Sequence, residues 1–170
     1  WPEVHKAFGS NPGKFPPSVQ ALLKRVVKGG NLPTVNPLVD AYNVVSLRHV
    51  LPAGGEDLDA CVGDIRLVRA EGGEPFTEIG GKTDDPALPG EPIYRDDAGV
   101  LCRRFNWREA DRTKLTQQTR NAVLVLETVA PMDGAALASA LEVLAGLVSR
   151  FTAANVTTAV LDAQSPETEL

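Results

Sequence analysis

Residues 121–129, Asn-Ala-Val-Leu-Val-Leu-Glu-Thr-Val, constrain the fold most. The run is short, β-branched and almost wholly apolar, so it reads as a buried strand rather than a helix. It closes on Glu127. A carboxylate at the end of a buried strand has to reach water, a protein donor or a ligand, because its desolvation is expensive otherwise. "DGAALASALEVLAGLVSRFTAAN" follows a few residues later. Its alanines and leucines predict a long helix with Asp133 as N-cap. A buried strand feeding a helix already excludes an all-helical or all-β chain.

Upstream, the same reading gives further elements. "PPSVQALLKRVVKGG" predicts a helix capped by Ser18 and stopped at Gly29-Gly30, with Val19, Leu22, Leu23, Val26 and Val27 as its apolar stripe. Pro37 suits the first turn of a second helix ending near His49, ahead of Pro52. On it Asp40, Asn43 and Ser46 fall at three-residue steps and share a polar face. "DIRLVRAEGG" alternates as a strand. "PIYRD" and "GVLCRRFNW" read as strands around a turn at Asp96–Gly99. "VTTAVLDA" reads as a final strand. These elements predict an α+β fold, helices packed on a mainly antiparallel sheet, in a single domain over 1–170. Residues 1–16 form an arm and 164–170 a polar, frayed tail.

The chemistry is thin in metals and cofactors. His5 and His49 are the only histidines and neither has ligand spacing; Cys61 and Cys102 are too few for a disulfide framework or zinc site and are expected as buried free thiols. "GGKT" at 80–83 lacks the upstream glycine spacing and following helix of a phosphate loop. No metal and no cofactor are expected. No apolar run reaches a bilayer span, no signal peptide opens the chain, and a cytoplasmic protein without membrane contact is expected.

Charge is more informative. The chain carries −5 at pH 7, against a broad nucleic-acid surface. Between Arg103 and Arg120, however, six basic residues meet only Glu109 and Asp111. A basic face on an acidic body can steer one anionic partner. Arg103, Arg104 and Arg108 surround Asn106 and Trp107, so an indole able to stack on a base sits among groups able to hold phosphate.

Taken in order, "LPTVNPLVDAYNVVSLRHVLPAGGEDLD", "DIRLVRAEGGEPF", "GEPIYRD" and "VLCRRFNWREADRTKLTQQTRNAVLVLE" resemble the free-standing B3/B4 domain proteins. These are related to the B3/B4 module of the bacterial phenylalanyl-tRNA synthetase β subunit. That module is a metal-free editing domain that hydrolyses tyrosine misattached to the phenylalanine tRNA. The resemblance implies that Asn43 matches an editing-pocket asparagine and that Glu127 matches the strand-end glutamate that recognises the tyrosine hydroxyl. Tyr42 stands where the family has threonine, Gly54 where it has a pocket histidine, and the arginines and Trp107 where it has a glycine-rich floor. The reading is therefore a deacylase acting in trans on a mischarged tRNA. Asn43 and Glu127 are its catalytic candidates. Asp40, Ser46, Arg103, Arg104, Asn106, Trp107 and Arg108 are its substrate-binding candidates, and the acceptor end of tRNA is its partner. Asn43, Trp107 and Glu127 are expected to converge on one cleft. Two other readings stand beside it: a non-catalytic RNA-binding module, and a binder of an amino-acid-like metabolite.

Overall fold

The computed structural model describes residues 1–129 and 134–170. Four helices and two antiparallel sheets make an α+β fold. Asp133, the expected cap of the last helix, lies outside the described residues.

Helix α1 (Pro2–Ala7) occupies the expected arm, started by Pro2 at N1. Helix α2 (Ser18–Val27) starts at its expected cap, so the cap moves one residue earlier: Pro17 holds the N-cap position, and the Ser18 hydroxyl is buried without a partner. Its apolar stripe is only half used, since Val19 is 4% exposed but Val27 is 84% exposed. Helix α3 (Pro37–His49) is capped by Asn36, whose side chain accepts from Val39 N at 3.0 Å. It ends where Val50 turns left-handed and the Ser46 hydroxyl donates to Leu51 O at 2.5 Å.

The first sheet pairs β1 (Ala53–Asp57) with β6 (Ala122–Leu126), Ala53 opposite Leu126 and Asp57 opposite Ala122. Strand β1, "AGGED", has poor strand propensity and was not expected from the sequence. Tertiary packing overrides propensity, because Gly55 lies so close to Leu124 and to Val123 O that no Cβ fits there. The second sheet runs β2-β3-β4-β5, from Arg66–Arg69 through Pro92–Arg95 and Val100–Arg103 to Arg108–Glu109. Helix α4 (Gly134–Thr152) buries Ala140, Leu144 and Val148 against Ala41, Val45 and Leu51, with Leu124 and Leu126 packed beside them. Each buried leucine or valine among them contributes roughly 1.5–3 kcal/mol of transfer free energy.

Two further expectations are corrected. Residues 156–163, expected as a final strand, form none: they are exposed and pair with no sheet among the described residues, so β-branching there finds no edge. Helix α4, whose apolar windows the sequence presents as too short for a bilayer span, has a mean hydropathy of 1.4 over a membrane-length window. By length and composition it is long and apolar enough to cross a membrane. Its leucines and valines supply most of that average, and its buried face packs on α3.

Candidate functional site

The site is organised by the loop Arg104–Trp107 that joins β4 to β5, where Arg103 pairs with Arg108. Arg104 and Phe105 both hold positive φ, 51° and 70°, without being glycine. Two consecutive left-handed residues cost of order 1–3 kcal/mol each and persist only when their surroundings hold them. Here they do. Arg104 N donates to Glu91 Oε1 at 3.1 Å, Phe105 N to Pro92 O at 2.7 Å and Trp107 N to Arg103 O at 3.0 Å.

The N-terminal arm grips the same loop residue by residue. Trp1 meets the Phe105 ring edge-on at 5.4 Å, and Phe15 meets Trp107 at 4.8 Å. His5, fully buried, lies 3.1 Å from Asn106 Oδ1 through Nε2. Asn106 Nδ2 in turn donates to Glu127 Oε2 at 2.5 Å. The carboxylate can only accept, so it fixes the amide, and the amide oxygen requires the proton on His5 Nε2.

Glu127 therefore meets protein donors rather than water. Burial pushes its carboxyl up to about 7, although the hydrogen bonds from Asn106 and Tyr94 pull the other way; the nearby Glu109 carboxyl adds to the rise. Glu109 crosses from β5 to lie over Gly54 of β1, so that a methyl group at Gly54 would collide with Glu109 Oε1. It hydrogen-bonds Glu56, which is 6% exposed. Burial first, and then the Glu109 charge, drive the Glu56 carboxyl far above its ordinary range, and burial raises Glu109 as well. Tyr42, Tyr94 and Cys102 complete the surroundings, and burial followed by the neighbouring carboxyls raises all three.

The arginines divide sharply. Arg103 is 1% exposed. Its Nε and Nη2 grip both oxygens of Glu91 at 2.9 and 2.7 Å, and Nη1 takes Asp85 O and Oδ2 at 2.8 and 2.7 Å. A guanidinium so occupied is structural and has little left for a phosphate. Arg104 is buried, its guanidinium 3.8 Å from the centre of the Phe15 ring. Arg108 stays largely exposed, 3.6 Å from Glu78 and 6.0 Å from the Trp107 ring. It is the arginine of the three that a solvent-borne anion can reach.

Trp107 lines a cleft of about 200 Å³ together with Phe76, Gly81, Lys82, Thr83 and the carboxylates Glu78 and Asp85. Thus "GGKT", unconvincing as a phosphate loop, faces the indole. Glu127 does not line this cleft, so the expected convergence with Trp107 is indirect, through the neighbouring Asn106. Asn43 is 7% exposed, and its amide makes no hydrogen bond with any described residue. Asp40 accepts from Val35 N at 2.9 Å, which orders the entry to α3, and the Ser46 hydroxyl is committed to closing that helix. Both cysteines are free, with Cys61 half-buried rather than buried.

Sequence reasoning missed His5, Glu56, Tyr94 and Glu109. Glu109 was visible as an acid inside a basic segment. His5 carried no signal, because its partner lies 101 residues away.

These features define a small α+β domain with an acid-lined polar interior closed by a strained aromatic-arginine loop. The chain belongs to the B3/4 domain family, whose pattern matches residues 1–159. Membership supports a tRNA-binding or editing-related module. No curated protein matches the chain.

Proposed function

We propose that this protein is a trans-editing deacylase that hydrolyses the ester of a mischarged aminoacyl-tRNA. The loop Arg104–Trp107 carries the reading. Through Asn106 it holds the strand-end carboxylate, and through Trp107 it presents an indole to a cleft that also offers Lys82. A terminal adenine stacks on the indole, and Arg108 and Lys82 hold the phosphates beside it. The aminoacyl group then lies toward Glu127, which grips its ammonium, and Asn43 donates to the ester carbonyl as charge develops on it.

No protein nucleophile is needed. Burial pushes both thiols up, away from thiolate, and the Ser46 hydroxyl is already committed to Leu51 O. A water held in place attacks the carbonyl, assisted by the free hydroxyl of the terminal ribose. Orientation and electrostatics supply the rate.

The test is a deacylation screen of the protein against a full set of mischarged tRNAs, repeated with Glu127→Gln. One responsive tRNA is expected. The variant should slow it about tenfold to a hundredfold, the equivalent of one charge-assisted hydrogen bond. Retention of uncharged tRNA should not change. If no tRNA is deacylated, the deacylase reading fails; steeply salt-dependent tRNA retention would then favour the non-catalytic module.

A further inference from the structure

We propose that the outer edge of β6 takes residues 156–161 of a second copy of this chain as an added antiparallel strand, so that two chains exchange these segments in a symmetric dimer. The exchange stands apart from the deacylase reading, since neither strand belongs to the β4–β5 loop or to the cleft beside Trp107.

The open edge follows from the ladder. Leu58 N donates to Asn121 O and Glu127 N to Pro52 O, so the odd-numbered residues of β6 turn their backbone groups toward β1. The N–H and C=O groups of Ala122, Leu124 and Leu126 then point the opposite way. None of them is hydrogen-bonded to another described residue. Natural edges are blunted by charge or proline, and β6 carries neither from Ala122 to Leu126. A two-stranded sheet is also marginal on its own and gains from a third strand.

Residues 156–161, Val-Thr-Thr-Ala-Val-Leu, are the matching half. They are uncharged, mostly β-branched and paired with no strand of their own chain. Val156, Val160 and Leu161 are 37%, 54% and 52% exposed. Both ends of the segment are fixed. Before it, Ala153 is left-handed at φ 54° and Ala154 N donates to the Thr152 hydroxyl at 3.3 Å. After it, Asp162 Oδ1 accepts from Gln164 N and Ser165 N, both at 2.8 Å. An unpaired strand and an unpaired edge on one chain satisfy each other when two copies trade them.

Charge selects the second copy over the segment's own edge. A crossover helix such as α4 returns the chain parallel to the strand it left. Pairing within one chain therefore brings Asp162 toward Glu127, acid beside acid. A second copy can lie antiparallel, which brings Asp162 toward Arg120 instead. Arg120 is exposed at the entry to β6, and neither it nor Asp162 forms an ion pair among the described residues.

The whole chain is run in sedimentation equilibrium from micromolar to millimolar concentration, beside a variant carrying Thr157→Pro and Thr158→Pro. Alternate N–H groups of a strand point to one edge, so one of the two prolines removes a ladder bond whatever the register. Both replaced residues are exposed and lie in no helix or sheet, so the rest of the fold is spared. The parent is expected to dimerise, and the prolines to raise the dissociation constant at least about tenfold. Amide exchange at Ala122, Leu124 and Leu126 gives the location: protection should be present in the dimer and lost both on dilution and in the variant. A parent that stays monomeric at millimolar concentration, a dimer that the prolines leave intact, or a dimer whose three amides exchange freely would overturn the proposal. Protection that persists in the dilute monomer and disappears with the prolines would mean that the segment folds onto its own edge, and would overturn it equally.

Discussion

Asn106 Nδ2 donates to Glu127 Oε2 at 2.5 Å, and this bond joins the strained β4–β5 loop to the end of the most apolar strand. Its consequence runs in both directions. The loop, with Tyr94, keeps the carboxylate in the interior, and the carboxylate orients an amide whose oxygen faces His5. The N-terminal helix thereby takes part in the site without touching Glu127.

Replacing Asn106 by leucine removes this donor at nearly constant volume. Glu127 then keeps Tyr94 alone, and its carboxyl should rise above about 7. A buried acceptor stripped of a partner costs roughly 1–3 kcal/mol. The loss is read from urea unfolding, and the shift from a carbon-13 NMR titration of the Glu127 carboxyl. An unmoved titration would mean that Asn106 does not support Glu127 in solution.

Glu127 also sets a pH dependence whose sign follows from its raised carboxyl. An acid with a folded value near 7 and an ordinary value of 4.5 favours the folded state while protonated. That stability is fully present below about 4.5 and is lost as pH rises through about 7. Relative to Glu127→Gln, which cannot titrate, the parent should lose about 3 kcal/mol between pH 4.5 and pH 7.5. Urea midpoints for both proteins at three pH values measure it. A parent that gains stability over this window relative to the variant would contradict the assignment.

Periodicity and punctuation revealed much of this fold before any coordinates. The α3 start at Pro37, the helical run from residue 134 and the strand ending near Glu127 were all legible, because each is coded by neighbours in sequence. Strand β1 was not, because two glycines tell of close backbone packing only once Leu124 is seen beside them. At residues 156–163 the failure ran the other way, since β-branching states a preference and pairing requires an edge. The site divides similarly. Glu127 and Asn106 stood out as polar groups beside apolar runs. Glu56 with Glu109, and Arg103 with Glu91, are contacts across the chain that no local pattern encodes. Arg103 thus looked like a phosphate ligand and is instead the largest fully buried side chain.

That burial makes Arg103 a test of stability. Burial alone would raise the Glu91 carboxyl, yet the Arg103 hydrogen bonds and charge outweigh it and hold it low. In Arg103→Met the carboxylate keeps its burial and loses its main partner. Breaking such a pair from one side costs roughly 3–5 kcal/mol. The chain should unfold at clearly lower urea, and Arg103→Met with Glu91→Leu should recover part of the loss. If the single variant is as stable as the parent, the bidentate pair is not formed.

Arg108 and Trp107 should behave in the opposite manner, and the contrast separates surface recognition from fold. Arg108 is largely exposed and its ion-pair partner Glu78, at 3.6 Å, is exposed too, so its removal leaves no buried charge behind. Arg108→Ala should change stability by no more than about 0.5 kcal/mol. If it holds a phosphate, the same change weakens tRNA retention and reduces the slope of log affinity against log salt by about one counterion. Lys82→Ala, across the same cleft, should act alike. Trp107→Ala is different in kind. It removes a stacking surface worth roughly 1–3 kcal/mol per base and should weaken retention while leaving the salt slope unchanged. Filter retention of one uncharged tRNA at several salt concentrations, run on all three variants, reads affinity and slope together. Retention that is the same in every variant would remove the cleft beside Trp107 from the RNA path. A salt slope that falls with Trp107→Ala but not with Arg108→Ala would mean that the indole positions the phosphate ligands rather than stacking on a base.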